Sequence, residues 1–288
     1  MKKSIYKNKE TEDLLMKLYD EKLKSLQIDY QDIDIDTSFG RTRVVRAGNE
    51  TGKPIVIFHG FNAGAPITLE AVIGLMPSYN LFVIETVGQT TKSEGCRMNI
   101  RDDSYAVWAN EVIEKLGLSH INVVGISYGA FILEKVIMHN PHTIEKCILV
   151  VPSGIVNSNF WESLNKLAIP MLKWRLTRNE RYLKAFLKAF IPPNDPFIES
   201  MLTIMMKGTY LDTRIPRILK MEDVNHFSKP VYVIAAENDV YFPGEKVINR
   251  SKSLFKNLQG TYLLKNSNHM PSNASFEEIQ MKLKEWIQ

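Results

Sequence analysis

The chain alternates between short, continuous apolar runs and longer amphipathic stretches. Apolar runs occur at 54–58, 81–84, 121–124, 147–151 and 231–235. Runs of this length, with no polar residue at every second position, mark strands buried on both faces. The segments 30–36 and 42–46 read as short strands, the first with clean alternation at Ile33 and Ile35, and 261–264 predicts a last strand. Helical spacing of apolar residues runs through 9–26, 67–76, 103–116, 128–138, 245–254 and 276–287. Strand followed by helix, repeated, predicts an α/β domain built on a mostly parallel eight-stranded sheet flanked by helices.

The alternation breaks once. From 154 to 225 there is no strand run, only helical patterns punctuated by Pro170, Pro192, Pro193, Pro196 and Pro216. This predicts a helical insertion between the sixth and seventh strands, a cap over the carboxyl ends of the strands, where open α/β sheets bind ligands. The expected organisation is an N-terminal helix in 1–28, a core domain in 29–153 and 226–288, and a cap in 154–225. The N-terminal helix is expected on the outside of the main domain. Met201, Met205 and Met206 fit either an adaptable pocket lining or the cap's own core. Lys184, Lys188 and the nearby arginines read as a solvated helix face.

The chemistry centres on Gly125-Ile126-Ser127-Tyr128-Gly129, a G-x-S-x-G sequence between a strand run and a helical pattern. A sharp strand-to-helix turn can hold the serine in a strained conformation with its oxygen exposed. A serine hydroxyl needs a base within hydrogen-bond reach, and the base needs a group to orient it. Downstream, His139 and His142 fall at the far end of the helix that leaves the turn, and His226 precedes the seventh strand at its amino end. His269 follows the last strand and so reaches the correct edge; it is the candidate base. The acid belongs in a loop after a strand at that edge. Asp239 fits, with Glu237 its neighbour and rival, and the loop 152–159 contains no carboxylate.

An oxyanion formed during acyl transfer needs fixed donors. The Tyr128 N–H, opening a helix, is one candidate. The second comes from His59-Gly60-Phe61-Asn62, with Phe61 N–H preferred and Asn62 in reserve. Gly60 is expected to permit a tight backbone path there, and His59 reads as a structural loop residue.

Bulk properties narrow the alternatives. The 288 residues are 44% hydrophobic, enough for a large core, and carry a net charge of +4 with no dense basic block, so nucleic acid is not an expected partner. No apolar stretch follows the charged start, and none is long enough to span a membrane; a cytoplasmic protein without a secretory leader is expected. Cys96 and Cys147 form no disulfide framework or metal pattern, and Cys147 sits in a strand run as a small core residue. There is no G-x-G-x-x-G, G-x-x-x-x-G-K, H-E-x-x-H or paired C-x-x-C, so neither cofactor nor metal is expected.

His59-Gly60, the turn around Ser127, Asp239 and His269, in this order and spacing, resemble the α/β-hydrolase superfamily over residues 29–288. The segment 85–93 also resembles the glycine-containing loop such proteins carry after the fourth strand. The likeness is to small bacterial carboxylesterase-like members with a helical cap. It implies hydrolysis through an acyl-enzyme without a cofactor; the expected substrate is a small, mainly apolar carboxylic ester and the expected state a monomer or homodimer. The same three residues would serve thioester or carbon–carbon bond hydrolysis, and a non-catalytic binding protein on this fold is the rival from another class. Glu85, Glu237 and Asn268 depart from residues common at their places in the family.

Overall fold

The computed structural model describes residues 4–95 and 97–288. Residues 1–3, part of the predicted N-terminal helical unit, and Cys96 lie outside the described residues. In chain order the elements are α1 (Lys9–Ser25), β1 (Tyr30–Thr37), β2 (Gly40–Gly48), β3 (Lys53–Phe58), α2 (Gly64–Val72), β4 (Tyr79–Ile84), α3 (Ser104–Lys115), β5 (Ile121–Ile126), α4 (Tyr128–His139) and β6 (Ile144–Val150). Then come α5 (Phe160–Ser163), α6 (Ile169–Thr177), α7 (Glu180–Lys188), α8 (Pro196–Gly208) and α9 (Met221–Val224). The chain closes with β7 (Val231–Ala236), α10 (Gly244–Leu254), β8 (Leu258–Leu264) and α11 (Asn273–Ile287).

The strands form one sheet in the order β1-β2-β4-β3-β5-β6-β7-β8. The pairs β1–β2 and β2–β4 are antiparallel and the others parallel. The apolar runs are the central strands because helices cover both faces. Val56, Phe58 and Val123 enter one core, while Ile55, Ile57 and Val124 enter the other, as the two-residue period of a strand requires. Cys147 is fully buried in β6.

Register sets the functional edge. Phe58 pairs with Ile84 and Gly125, Ile126 with Val150, Val150 with Ile234, and Ala236 with Leu264. The loops that begin at His59, Glu85, Ser127, Val151, Glu237 and Lys265 therefore leave the sheet on one side.

Three local readings change. The helix expected at 67–76 is α2 at Gly64–Val72, followed by a 3-10 turn at Ile73–Leu75. It starts early because the buried Glu85 carboxylate supplies the acceptor for its first turn, Oε1 taking the Ala65 N–H at 3.0 Å. The second oxygen takes the Lys92 N–H at 2.8 Å, and burial raises the Glu85 pKa. The last strand starts at Leu258, three residues before the apolar run. The third change concerns α1, which does more than cover the sheet. Tyr19 and Leu23 join the core beside α2, whereas Leu15 joins a separate cluster with Trp174, Leu183, Leu187 and Leu202 of the segment between β6 and β7. Lys7 N–H bonds Gly208 O, and Tyr210 N–H bonds Ile5 O, both at 2.8 Å. The N-terminal segment thus ties α8 to the sheet domain. Met205 and Met206 are buried in that third cluster, and Met201 is partly buried against it.

Candidate active site

The turn between β5 and α4 positions Ser127. Its backbone sits at φ 51°, ψ −110°, in a region costly for a residue with a side chain, on the order of 1–3 kcal/mol. The surroundings hold it there. Ser127 N–H donates to Val150 O at 2.9 Å, and its carbonyl accepts from Ala130 N–H at 3.0 Å and from the Ser153 hydroxyl at 3.1 Å. Glycine is required at 129, where a Cβ would lie 1.9 Å from the Phe58 carbonyl oxygen. Gly129→Ala is therefore expected to destabilise the fold by about 3 kcal/mol or more, read as a lower urea midpoint at unchanged slope. The tight path expected of Gly60 is a correction: its φ is not positive, and a Cβ there would meet nothing nearer than Ser127 Cβ, at an ordinary 3.6 Å.

The structure brings three predicted side chains together. Ser127 Oγ lies 2.8 Å from His269 Nε2, and His269 Nδ1 lies 2.7 Å from Asp239 Oδ2. The Asp239 side chain is fully buried and that of His269 nearly so. The other Asp239 oxygen accepts the N–H groups of Tyr241 and Phe242 at 2.8 and 3.0 Å. The rings of those two residues stand edge-on to His269, with centroids 5.2 and 5.4 Å away. With Asp239 holding the proton on Nδ1, Nε2 is free to accept from Ser127. Glu237 is drawn elsewhere, to Lys265 Nζ at 2.7 Å and Asn266 N–H at 2.9 Å.

The remaining histidines stand apart from Ser127. His139 lies 3.6 Å from Asp103, His142 bonds Asn140, and His226 bonds Ile137 O. His59 is buried beneath the loop, Nε2 accepting the Thr86 N–H at 3.0 Å and Nδ1 facing Gly60 O at 2.6 Å. Burial lowers its pKa to about 4.

Neither the Phe61 nor the Tyr128 N–H donates to a protein acceptor among the described residues. The Asn62 N–H is taken by Gln89 Oε1 at 2.5 Å, and the Asn62 side chain in turn accepts the Thr90 N–H at 2.9 Å. Asn62 sits at φ 57°, so this two-way clamp holds a left-handed residue directly after Phe61. Gln89 lies within the glycine-containing segment 85–93, four positions after Glu85, and no spacing in the sequence singles it out.

The segment between β6 and β7 reaches this edge. Phe190 O accepts the Met270 N–H and Ile191 O accepts the Asn268 side chain, each at 2.9 Å. A cavity of about 750 Å3 lies between this segment and the Asp239 loop, lined by Asn159, Glu162, Lys166, Lys188, Glu237 and Asn268 among others. Ser127 is not part of its lining, and its charged walls do not suit an apolar group. A much smaller recess of about 20 Å3 lies beside Asn62 and Ala63, lined by Leu15, Ile67, Phe197 and Met201.

An eight-stranded, mostly parallel sheet with a strained serine between β5 and α4 is the architecture of the α/β-hydrolase fold. The family model described as "alpha/beta hydrolase fold" matches residues 53–194, and the chain has that fold. It is similar to the uncharacterized carboxylesterase nap of Bacillus subtilis, 19% identical over 274 residues, covering 88% of this chain and 85% of that protein. Among solved structures, the naproxen esterase (carboxylesterase NP) of Bacillus subtilis superimposes with TM-score 0.81 at 17% identity, covering 95% of this chain and 97% of that one. Carboxylesterase CesB of Bacillus subtilis gives TM-score 0.80 at 15% identity, covering 96% and 98%. Among the described residues no helix is long and apolar enough to cross a membrane.

Proposed function

We propose that this protein is a serine hydrolase that cleaves small, mainly apolar carboxylic esters through an acyl-enzyme. The observation that carries the reading is the unbroken chain from Ser127 Oγ to His269 to Asp239, with 2.8 and 2.7 Å links. The similarity to carboxylesterases supports the ester class. Phe61, partly exposed and with its ring 5.5 Å from that of Tyr128, supports an apolar acyl group.

In this reading His269 Nε2 takes the Ser127 proton as Oγ attacks the carbonyl carbon. Asp239 holds the tautomer and stabilises the imidazolium. The N–H groups of Phe61 and Tyr128 receive the oxyanion, since the Asn62 N–H is already committed. His269 then donates its proton to the departing alkoxide. It next activates water to release the acid and regenerate the hydroxyl. The helices of 154–225 act as the cap that covers the substrate.

Two measurements test this. The purified protein should hydrolyse p-nitrophenyl butyrate, and a fluorophosphonate probe should label Ser127; no turnover and no labelling would reject it. Gln89→Ala should lower kcat about tenfold with little change in KM, because a misplaced donor costs less than the ~10²–10³ of a missing one. Gln89→Glu, which keeps an acceptor for the Asn62 N–H, should recover most of the loss.

A further inference from the structure

The hairpin formed by α5, α6 and α7 is apolar on two sides and strongly basic. Its inner side carries Leu167, Trp174, Leu183 and Leu187, all buried. Its outer side carries Trp161, Ile169, Leu172 and Leu176, of which Trp161 is 73%, Leu172 57% and Leu176 76% exposed. Residues 160–177 form one continuous helical run through a π-helical turn at Leu164–Ala168, so these outer residues, eight, three and four positions apart, lie along one side. A helix normally turns polar residues to water. This one turns large apolar ones.

Charge is concentrated on the same hairpin. Residues 160–190 hold seven Lys and Arg against Glu162 and Glu180, a net +5, whereas the whole chain carries +4. All seven cations are exposed. Lys166 pairs with Glu162, Lys184 approaches Glu199, and Glu180 is taken by Lys207. Among the described residues no carboxylate lies within ion-pair distance of Lys173, Arg175, Arg178, Arg181 or Lys188; Lys173 and Arg178 rest over the rings of Tyr182 and Trp174.

We propose that this hairpin docks the protein on an anionic lipid bilayer, with the outer stripe seated among the headgroups and the hairpin's exposed cations meeting lipid phosphates. Exposed Trp and Leu on a hairpin that also carries Lys and Arg free of ion pairs suit an interface that is apolar within and negative at its surface. A neutral protein partner would leave five cations uncompensated. A second copy of this chain would set like charges against each other. The hairpin leads directly to Phe190 and Ile191, which bond the His269 loop, so docking brings the Ser127 edge to the lipid layer. Binding does not depend on hydrolysis, and its test is separate from that of the proposed activity.

The test is co-sedimentation of the full chain with phosphatidylcholine vesicles, with and without about 30% phosphatidylglycerol, at about 50 mM salt. The expected result is at least about tenfold tighter binding to the anionic vesicles, lost at high salt. The surface variant W161S/L172S/L176S should bind at least about tenfold more weakly, with an unchanged circular dichroism spectrum. R175E/R178E/R181E, which leaves the apolar stripe in place, should do the same and serves if the first variant misfolds. Equal binding to neutral vesicles, no binding, or binding unaltered in both variants overturns the proposal. So does a dimer that W161S/L172S/L176S converts to monomer while neither protein binds vesicles.

Discussion

Ser127→Ala is expected to lower kcat for p-nitrophenyl butyrate by about 10⁴-fold or more and to abolish fluorophosphonate labelling. The alanine keeps the Cβ, so the hydrogen bonds that hold the turn, Ser127 N–H to Val150 O and Ala130 N–H to the residue 127 carbonyl, are retained. The unusual backbone angle costs alanine about as much as serine. Thermal stability should therefore change little while the chemistry collapses. Residual turnover near the wild-type rate would mean that another group attacks the ester, and the proposed mechanism would be abandoned. A stable but inactive variant isolates the hydroxyl itself as the lost element.

Asp239→Asn should cost about 10⁴-fold in kcat, for a reason visible in the local hydrogen bonds. Asp239 Oδ1 accepts two backbone N–H groups, from Tyr241 and Phe242. An asparagine must keep its carbonyl oxygen there, which turns its NH2 toward His269 Nδ1. Nδ1 must then accept, so the proton moves to Nε2, where it faces Ser127 Oγ as a donor. The base is present but in the tautomer that cannot take a proton. Nitrogen-15 chemical shifts of the His269 ring would report the swap directly. Full activity in this variant, or an unchanged tautomer, would remove Asp239 from the role assigned to it.

Much of the architecture was legible because it rests on local period and on edge logic. The β3 to β7 runs are apolar at consecutive positions because both faces of the sheet are covered, and that pattern survives in any reading of the chain. His269 could be singled out because the loop after β8 leaves the sheet on the same side as the turn after β5. Other features depend on pairings no spacing reveals. The clamp between Asn62 and Gln89 joins residues 27 apart through one backbone N–H and one amide oxygen, and neither residue type announces it. The division of α1 between two apolar clusters follows from where α8 lies. Gly60 misled because a glycine beside a reactive loop suggests crowding, whereas the crowding falls at Gly129. Lys184, Lys188 and the nearby arginines read as a solvated face, since a linear sequence does not show that apolar residues share the outside of the hairpin with them.

The proposed nucleophile and its proton acceptor are separated by 142 residues of chain, and the acceptor and its carboxylate by 30. During synthesis the turn bearing residue 127 emerges roughly 10–30 s before the imidazole it needs, at ordinary ribosome speeds. For that interval the hydroxyl is no more reactive than that of any other serine. On the proposed mechanism the nascent polypeptide carries a built-in delay, and stays harmless to acyl compounds around it until its last sheet edge has been laid down.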